Sequence, residues 1–366
     1  MQMSRAVAAL AGAVAILGVL VLPADAQSPE VKAGPVPITQ PLGVLGARDD
    51  LFIGTAVDMT ALTNEPTYRA RVASEFNSVT PENVMKWQLV EPTQGVLDFS
   101  QADQLVAFAQ ANHQRVRGHT LVWHNQLPNW LTTGVANGTI TPDALRAILR
   151  QHILDEVGHF KGEVAQWDVV NEALNEDGTL KSTIWLQNLG PGYIADAFRW
   201  AHQADPGAKL FYNDFNLDNV SPKSDAAFAL VQSLRSQGVH VDGVGDQGHL
   251  AVQFPAPGTM QENLKRFSDA GFQVEITEAD ARMILPPDAT KLDAAAEAYR
   301  VMLTACLLTK RCTGFTVWGF TDLHSWVPGV FSGQGAADIL DANFQPKPAY
   351  NALRTELVLA ARDEGD

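Results

Sequence analysis

The chain has 366 residues, with 41 acidic and 26 basic side chains and a formal net charge of -15. That excess of negative charge argues against nucleic acid or an anionic membrane surface as a partner, and leaves a neutral polymer unobjectionable. Two cysteines are too few soft ligands for a structural metal site.

Met1 to Leu22 carries a single basic residue, Arg5, followed by an apolar run from Ala6 that closes on Pro23 and Ala24-Asp25-Ala26. This reads as a secretory signal over 1–26, with a mature chain starting near Gln27. The run is short for a membrane span, Pro23 breaks it, and no cationic flank follows. Residues 27–48, rich in Pro, Gly and small side chains, read as a flexible leader. The body, 49–360, has the size of one barrel domain and no visible repeat or linker. Export is expected to end in the periplasm or outside the cell, with the chain acting as a monomer and without a cofactor. In an exported chain Cys306 and Cys312, which bracket Leu-Leu-Thr-Lys-Arg, read as one local disulfide, with two reduced thiols the weaker alternative.

From residue 50 onward, short apolar runs alternate with helical patterns. Strands are expected at about 52–56, 76–79, 116–122, 164–170, 209–213, 241–245, 273–277 and 314–318. The helices between and after them are expected near 68–75, 102–111, 142–157, 194–203, 224–237, 260–270, 292–308 and 349–357. Thr141-Pro142 offers an N-cap with Pro in the first turn, and Gln237-Gly238 offers a C-cap. Eight uninterrupted strand-then-helix units predict an α/β fold, a closed (β/α)8 TIM barrel, rather than an open sheet.

In such a barrel every strand's C-terminal end opens on one face, and the unusual chemistry of this chain falls at those ends. Trp167-Asp168-Val169-Val170-Asn171-Glu172 finishes a buried strand on a carboxylic acid. About a hundred residues later Val274-Glu275-Ile276-Thr277-Glu278 does the same. A lone Glu there would simply point into water, but two on one rim suggest paired acid/base and nucleophile chemistry. Around them the strand ends bring Glu82, Asn83, Lys86, His119, Trp123, His124, Gln126, Asn213, Phe215, Asn216, Gln247, His249, Asp280, Trp318 and Trp326. Such a polar and aromatic rim suits a hydroxylated, flat-faced ligand such as a sugar. Competing readings are weaker. Gly243-Val244-Gly245-Asp246-Gln247-Gly248 fits a dinucleotide pattern, but no helix opens inside it. His119 and His124 with the two Glu lack metal-ligand spacing, and no G-x-S-x-G elbow is present. Glu82 and Lys86, four apart, could be a plain surface ion pair.

With these stretches in view, the chain resembles glycoside hydrolase family 10, the (β/α)8-barrel endo-1,4-β-xylanases, over about residues 42–357. The resemblance is carried by Phe76-Asn77-Ser78-Val79-Thr80-Pro81-Glu82-Asn83-Val84-Met85-Lys86-Trp87, Arg117-Gly118-His119-Thr120-Leu121-Val122-Trp123-His124, Trp167 to Glu172, Gln247-Gly248-His249, Thr277-Glu278-Ala279-Asp280 and Thr316-Val317-Trp318-Gly319, all in one order. It implies retaining hydrolysis of xylan and xylo-oligosaccharides. Glu172 would be the acid/base and Glu278 the nucleophile, with carboxyl groups about 5 to 5.5 Å apart. It further implies that His249, oriented by Asp280, keeps Glu278 ionised, and that Asn171 contacts the sugar 2-hydroxyl. Glu82, Asn83, Lys86, His119, Trp123, Gln126, Gln247, Trp318 and Trp326 would line the groove, Phe215 would lie on the aglycone side, and Cys306–Cys312 matches the family's disulfide. Three positions depart from the usual pattern: Ala279 for a larger aliphatic residue, Asp246 for an uncharged one, and Phe215 for Tyr. A β-1,4-glucanase or cellobiosidase on the same barrel, or a non-catalytic sugar-binding barrel, remain the alternatives.

Overall fold

The computed structural model describes residues 40–363. The signal expected over 1–26 and the leader up to residue 39 lie outside the described residues. Eight parallel strands close into a barrel: β1 (Phe52–Val57), β2 (Ser78–Pro81), β3 (Arg115–Val122), β4 (Gln166–Asn171), β5 (Lys209–Asp214), β6 (Gly243–Asp246), β7 (Gln273–Ile284) and β8 (Cys312–Val317). Each pairs with the next, and β8 returns to β1 through Phe52↔Gly314 to Thr55↔Val317. No edge of this barrel is left open, which is the arrangement expected from the alternating pattern. The matching helices are α1 (Pro66–Glu75), α2 (Ser100–Ala111), α3 (Pro142–His159), α4 (Tyr193–Ala204), α5 (Pro222–Ser236), α6 (Met260–Asp269), α7 (Ala289–Leu307) and α8 (Pro348–Asp363). Thr141 Oγ1 caps α3 by accepting from Ala144 N, and Gly238 at φ 72° ends the turn after α5. Cys306 and Cys312 are disulfide-bonded across the α7–β8 turn.

The described part of the leader expected through residue 48 packs on the barrel. Leu42–Gly46 is a short helix whose Leu42 and Leu45 are fully buried. Its apolar pair covers the N-terminal end of the barrel. Leu42 N and Tyr350 Oη both donate to Glu75 Oε1, at 2.9 and 2.7 Å, and Asn77 Nδ2 donates to Gly43 O at 2.8 Å. The strand β7 also runs well past its expected end at 277: its last residues pair with His249–Ala251 and with Gln334–Gly335. Short helices without a clear sequence pattern, such as Met59–Asn64, Asn129–Ala136 and Ile184–Leu189, occupy the loops after β1, β3 and β4.

The barrel interior is ionic rather than apolar at its centre. Arg117 Nη1 donates to Glu275 Oε2 at 2.8 Å, and its Nε donates to Asp168 Oδ2 at 3.0 Å, while its Nη2 also meets Asp168 Oδ1. Arg115 Nη1, Gln166 Nε2 and Thr313 Oγ1 complete the shell of Glu275 at 3.1, 2.7 and 2.8 Å. Burial alone would raise the Glu275 and Asp168 carboxyls, but the two guanidiniums for Glu275, and Arg117 with His119 for Asp168, hold both below the ordinary range. The space is made by glycine. A Cβ at Gly245 would collide with Asn213 Oδ1, and one at Gly314 would sit 2.8 Å from the Glu275 carboxylate.

Candidate active site

The C-terminal rim of this barrel holds a groove of about 590 Å³. Glu172 follows β4 directly in a left-handed conformation, φ 58°, which an L-residue adopts only when held there. Its N–H donates to Asn213 O at 2.9 Å, and its carboxylate, partly exposed, points into the groove. Glu278 lies within β7 and is almost fully buried, at 5% exposure. Its Oε1 accepts from Asn213 Nδ2 at 2.8 Å, and its Oε2 from His249 Nε2 at 3.2 Å.

A net of amides ties the two acids together. Asn213 Nδ2 also donates to Asn171 Oδ1 at 2.9 Å, which takes a second bond from Gln247 Nε2 at 3.2 Å. Gln247 Nε2 and Asn171 Nδ2 reach Glu172 Oε1 at 3.3 and 3.5 Å, and Thr277 Oγ1 fixes the amide of Asn213 at 2.7 Å. The orientation of each carboxylate therefore depends on side chains at the ends of several neighbouring strands at once. Asn213 stands out in the sequence only as a polar residue at the end of a strand. Its role as the bridge appears once β4 and β5 align Asn171 with Asn213.

Behind Glu278, His249 Nδ1 meets Asp280 Oδ2 at 2.8 Å, and Trp326 Nε1 donates to the same oxygen at 2.9 Å. Burial pulls the His249 imidazolium down, but Asp280 and then Glu278 outweigh it and hold the ring at about 10, so it is charged at neutral pH. Burial likewise raises Glu278, yet the hydrogen bond from His249 and the charge of His119 leave it below the ordinary range. The result is a carboxylate kept ionised in a nearly dry site, beside a second, wetter carboxylate.

The other expected residues gather around this pair. Lys86 is 7% exposed rather than a surface ion-pair partner: its Nζ donates to Asn83 Oδ1 at 3.2 Å and lies 5.0 Å from the Trp123 ring centre. Burial lowers its ammonium, opposed by Glu278, Glu82 and Glu172; burial, then Asp58, raises Glu82. Gln126, at φ 48°, donates to Asn83 Oδ1 at 3.1 Å. His119 is anchored on Asp168 at 3.0 Å and meets Trp318 edge-on at 5.1 Å, while Trp326 leans on His249 at 4.9 Å. Phe215 has Lys223 over one face at 3.4 Å, and Lys223 is itself held by Asp214 and Glu176. Asp280 and Asn213 stand behind the groove wall rather than on it, and His124 is not among its lining residues. Asp246 is turned away into the interior against Asp218. Asn125, Val330 and Phe331 join the lining without a prior signal. Among the described residues no three His, Cys, Asp or Glu side chains converge on a metal position.

Two carboxylates in unlike surroundings, bridged by amides and flanked by Trp rings on the open face of a (β/α)8 barrel, define a glycoside hydrolase. A sequence profile of glycosyl hydrolase family 10 matches residues 45–356. An endo-1,4-β-xylanase of Agaricus bisporus is 43% identical over 304 residues, covering 82% of this chain and 90% of that protein. Endo-1,4-β-xylanase B of Thermotoga neapolitana is 40% identical over 317 residues, covering 86% and 90%. Among solved structures, xylanase 10B of Thermotoga petrophila RKU-1 in complex with xylobiose superposes with a TM-score of 0.84 at 38% identity, over 88% of this chain and 98% of that one. The chain belongs to glycosyl hydrolase family 10.

Proposed function

We propose that this protein is an endo-1,4-β-xylanase that cleaves internal xylosidic bonds with retention of configuration, Glu278 acting as nucleophile and Glu172 as acid/base. The observation that carries the assignment of roles is the contrast between the two acids. Glu278 is buried and holds a charged His249 and the amide of Asn213. It is therefore poised as an anion aimed at carbon. Glu172 faces the open groove, held by long amide bonds and by Lys181 Nζ at 3.9 Å, where it can give up and retake a proton. In the first step Glu172 protonates the leaving glycosidic oxygen as a Glu278 oxygen bonds to the anomeric carbon. In the second, water loses its proton to Glu172 and displaces Glu278, so both groups return to their starting states. Asn171, oriented by two donors on its Oδ1, has its Nδ2 available to the 2-hydroxyl, where charge develops in the transition state. The sugar rings rest on Trp123, Trp318 and Trp326.

The test is the stereochemistry of xylotriose hydrolysis followed by NMR: the β-anomer should appear first and equilibrate later. Azide should restore turnover to both alanine variants, giving the β-azide with Glu172→Ala and the inverted α-azide with Glu278→Ala. An α-anomer as first product, or identical azide products, would refute the roles. Faster cleavage of an aryl cellobioside than of the xylobioside would move the specificity to glucan. We also propose export to the periplasm or medium as a monomer, supported by the N-terminal pattern and the Cys306–Cys312 bridge. The exported protein should begin at Gln27 and elute as a single chain.

A further inference from the structure

Beside the catalytic groove lies a second hollow of about 550 Å³, and the two share a wall made by Asn216, His249 and Arg282. Arg282 follows Glu278 and Asp280 on alternate positions of β7, which places the three on one side of the strand. Its guanidinium lies on the Phe331 ring at 4.1 Å. It makes one long bond, from Nη1 to Leu250 O at 3.4 Å, its Nε is buried without a partner, and no carboxylate among the described residues pairs with it. A half-buried cation with most of its five donors unused is unusual in a chain of net charge -15.

The other charges of the hollow are already answered. Glu297 is held by Arg300 through two bonds of 2.6 and 2.5 Å. Asp218 lies against Asp246; burial pushes its carboxyl up to about 6 and pushes Asp246 well above its ordinary value, while the charges of His249 and Lys223 act against the rise at Asp218 and answer its negative charge. Arg282 is thus the one charged side chain among the described residues of this hollow that no opposite charge answers, and Phe254, 67% exposed, lines the same hollow. A guanidinium with a free edge takes a carboxylate through two parallel bonds, an exposed aromatic face takes a sugar ring, and the shared wall ties both to a backbone lying in the groove.

We infer that this hollow receives an acidic side branch of the polysaccharide, a hexuronic acid attached to the xylan backbone, with Arg282 pairing its carboxylate. The inference rests on the xylanase reading and refines its substrate class. The test compares three xylo-oligosaccharides of equal backbone length, one linear, one carrying a single glucuronic acid branch, and the same branched molecule as its methyl ester. The wild type should show a KM about tenfold lower for the free acid than for the ester. Arg282→Met should abolish that difference and Arg282→Lys keep part of it, while turnover of the linear substrate reports that each variant is folded. Equal KM values for acid and ester in the wild type, or an Arg282→Met effect of the same size on all three substrates, would overturn it. So would free glucuronate at millimolar concentration acting through Arg282 on the linear substrate while the branched one shows no advantage, because the site would then serve dissolved anions. Failure of the wild type to cleave the linear substrate would instead remove the xylanase reading, and this inference with it.

Discussion

Replacing Asp280 by Asn keeps the shape of the relay behind Glu278 and removes its charge. His249 is held at about 10 against an ordinary 6.5, a preference of roughly 5 kcal/mol for the charged ring at about 1.36 kcal/mol per tenfold in proton affinity. Asp280 is the closer carboxylate, 2.8 Å against 3.2 Å for Glu278, and the larger cause. Giving it about half of the preference, the variant should lose ~2–3 kcal/mol, so its His249 binds a proton roughly 30- to 150-fold more weakly. Glu278 then faces a neutral ring over much of the alkaline range, and kcat should decline at a lower pH than in the wild type. The amide oxygen introduced by Asp280→Asn can still accept from Trp326, so the groove wall is preserved. The stability of the protein should move with it. His249 is raised in the fold, so its contribution is complete below the unfolded value of 6.5 and is lost as pH climbs through about 10. Glu278 is depressed, so its contribution exists above 4.5 and is lost as pH falls through its lowered value. Melting curves of the wild type should therefore weaken between about pH 7 and 10, and those of Asp280→Asn should be flatter there. The readouts are an imidazole NMR titration and kcat against pH. A His249 titration within about threefold of the wild-type affinity would show that Asp280 does not set the charge.

Three further variants probe the parts away from Glu172 and Glu278. Arg117→Met leaves Asp168 and Glu275 short of their shared cation and should cost about 3–5 kcal/mol in denaturant unfolding; a loss under about 1 kcal/mol would contradict the ionic interior as a supporting element. Glu156, fully buried on α3, is raised well above its ordinary range by burial; its carboxyl oxygens accept no hydrogen bond, though His152 Nε2 lies 3.3 Å away. It stays protonated in the fold while the unfolded chain ionises above 4.5, so stability falls as pH rises. Glu156→Gln should thus melt higher relative to the wild type at about pH 8 than at about pH 5, and an equal difference at both would reject that sign. The Cys306–Cys312 bridge closes a loop with sequence separation 6. Replacing both by Ser should cost about 2 kcal/mol, seen as a lower denaturant midpoint with unchanged kcat.

The alternation of apolar runs and helical patterns is enough to read a closed barrel, because each strand and each helix is specified locally by its own periodicity and caps. The strand ends draw attention to Glu172, Glu278, His249 and Trp318 for a related reason: polar and aromatic side chains at the end of an apolar run are visible without knowing their partners. What stays hidden is what depends on closure. Arg117 meets Asp168 and Glu275 at separations of 51 and 158 residues, and alone each resembles a charge on the outer face of a strand. The true end of β7 escapes the sequence because Glu278, Asp280 and Arg282 look like a loop by composition. They are tolerated in a strand because His249, Trp326 and Leu250 meet them. The helix at Leu42–Gly46 escapes it because Gly and Pro around it signal a loop, whereas the contacts that order it come from Asn77 and from Glu75, itself held by Tyr350.

An ionic barrel interior requires explanation, since apolar side chains of similar volume are often as stable as a buried ion pair. The connection to the groove supplies one. Glu275 fixes Arg117, Arg117 fixes Asp168, and Asp168 fixes His119, whose ring edge meets Trp318. The links as far as His119 are directional bonds rather than packing contacts, so the ring of His119 has one orientation, and through it the groove-facing ring of Trp318 has one as well. An apolar interior would fill the same space but leave His119 free to rotate about its side chain. Since His119 also helps to keep Glu278 ionised, that freedom would blur both the charge of Glu278 and the position of the Trp318 ring. The interior charges are better understood as part of the site's positioning than as a contribution to stability.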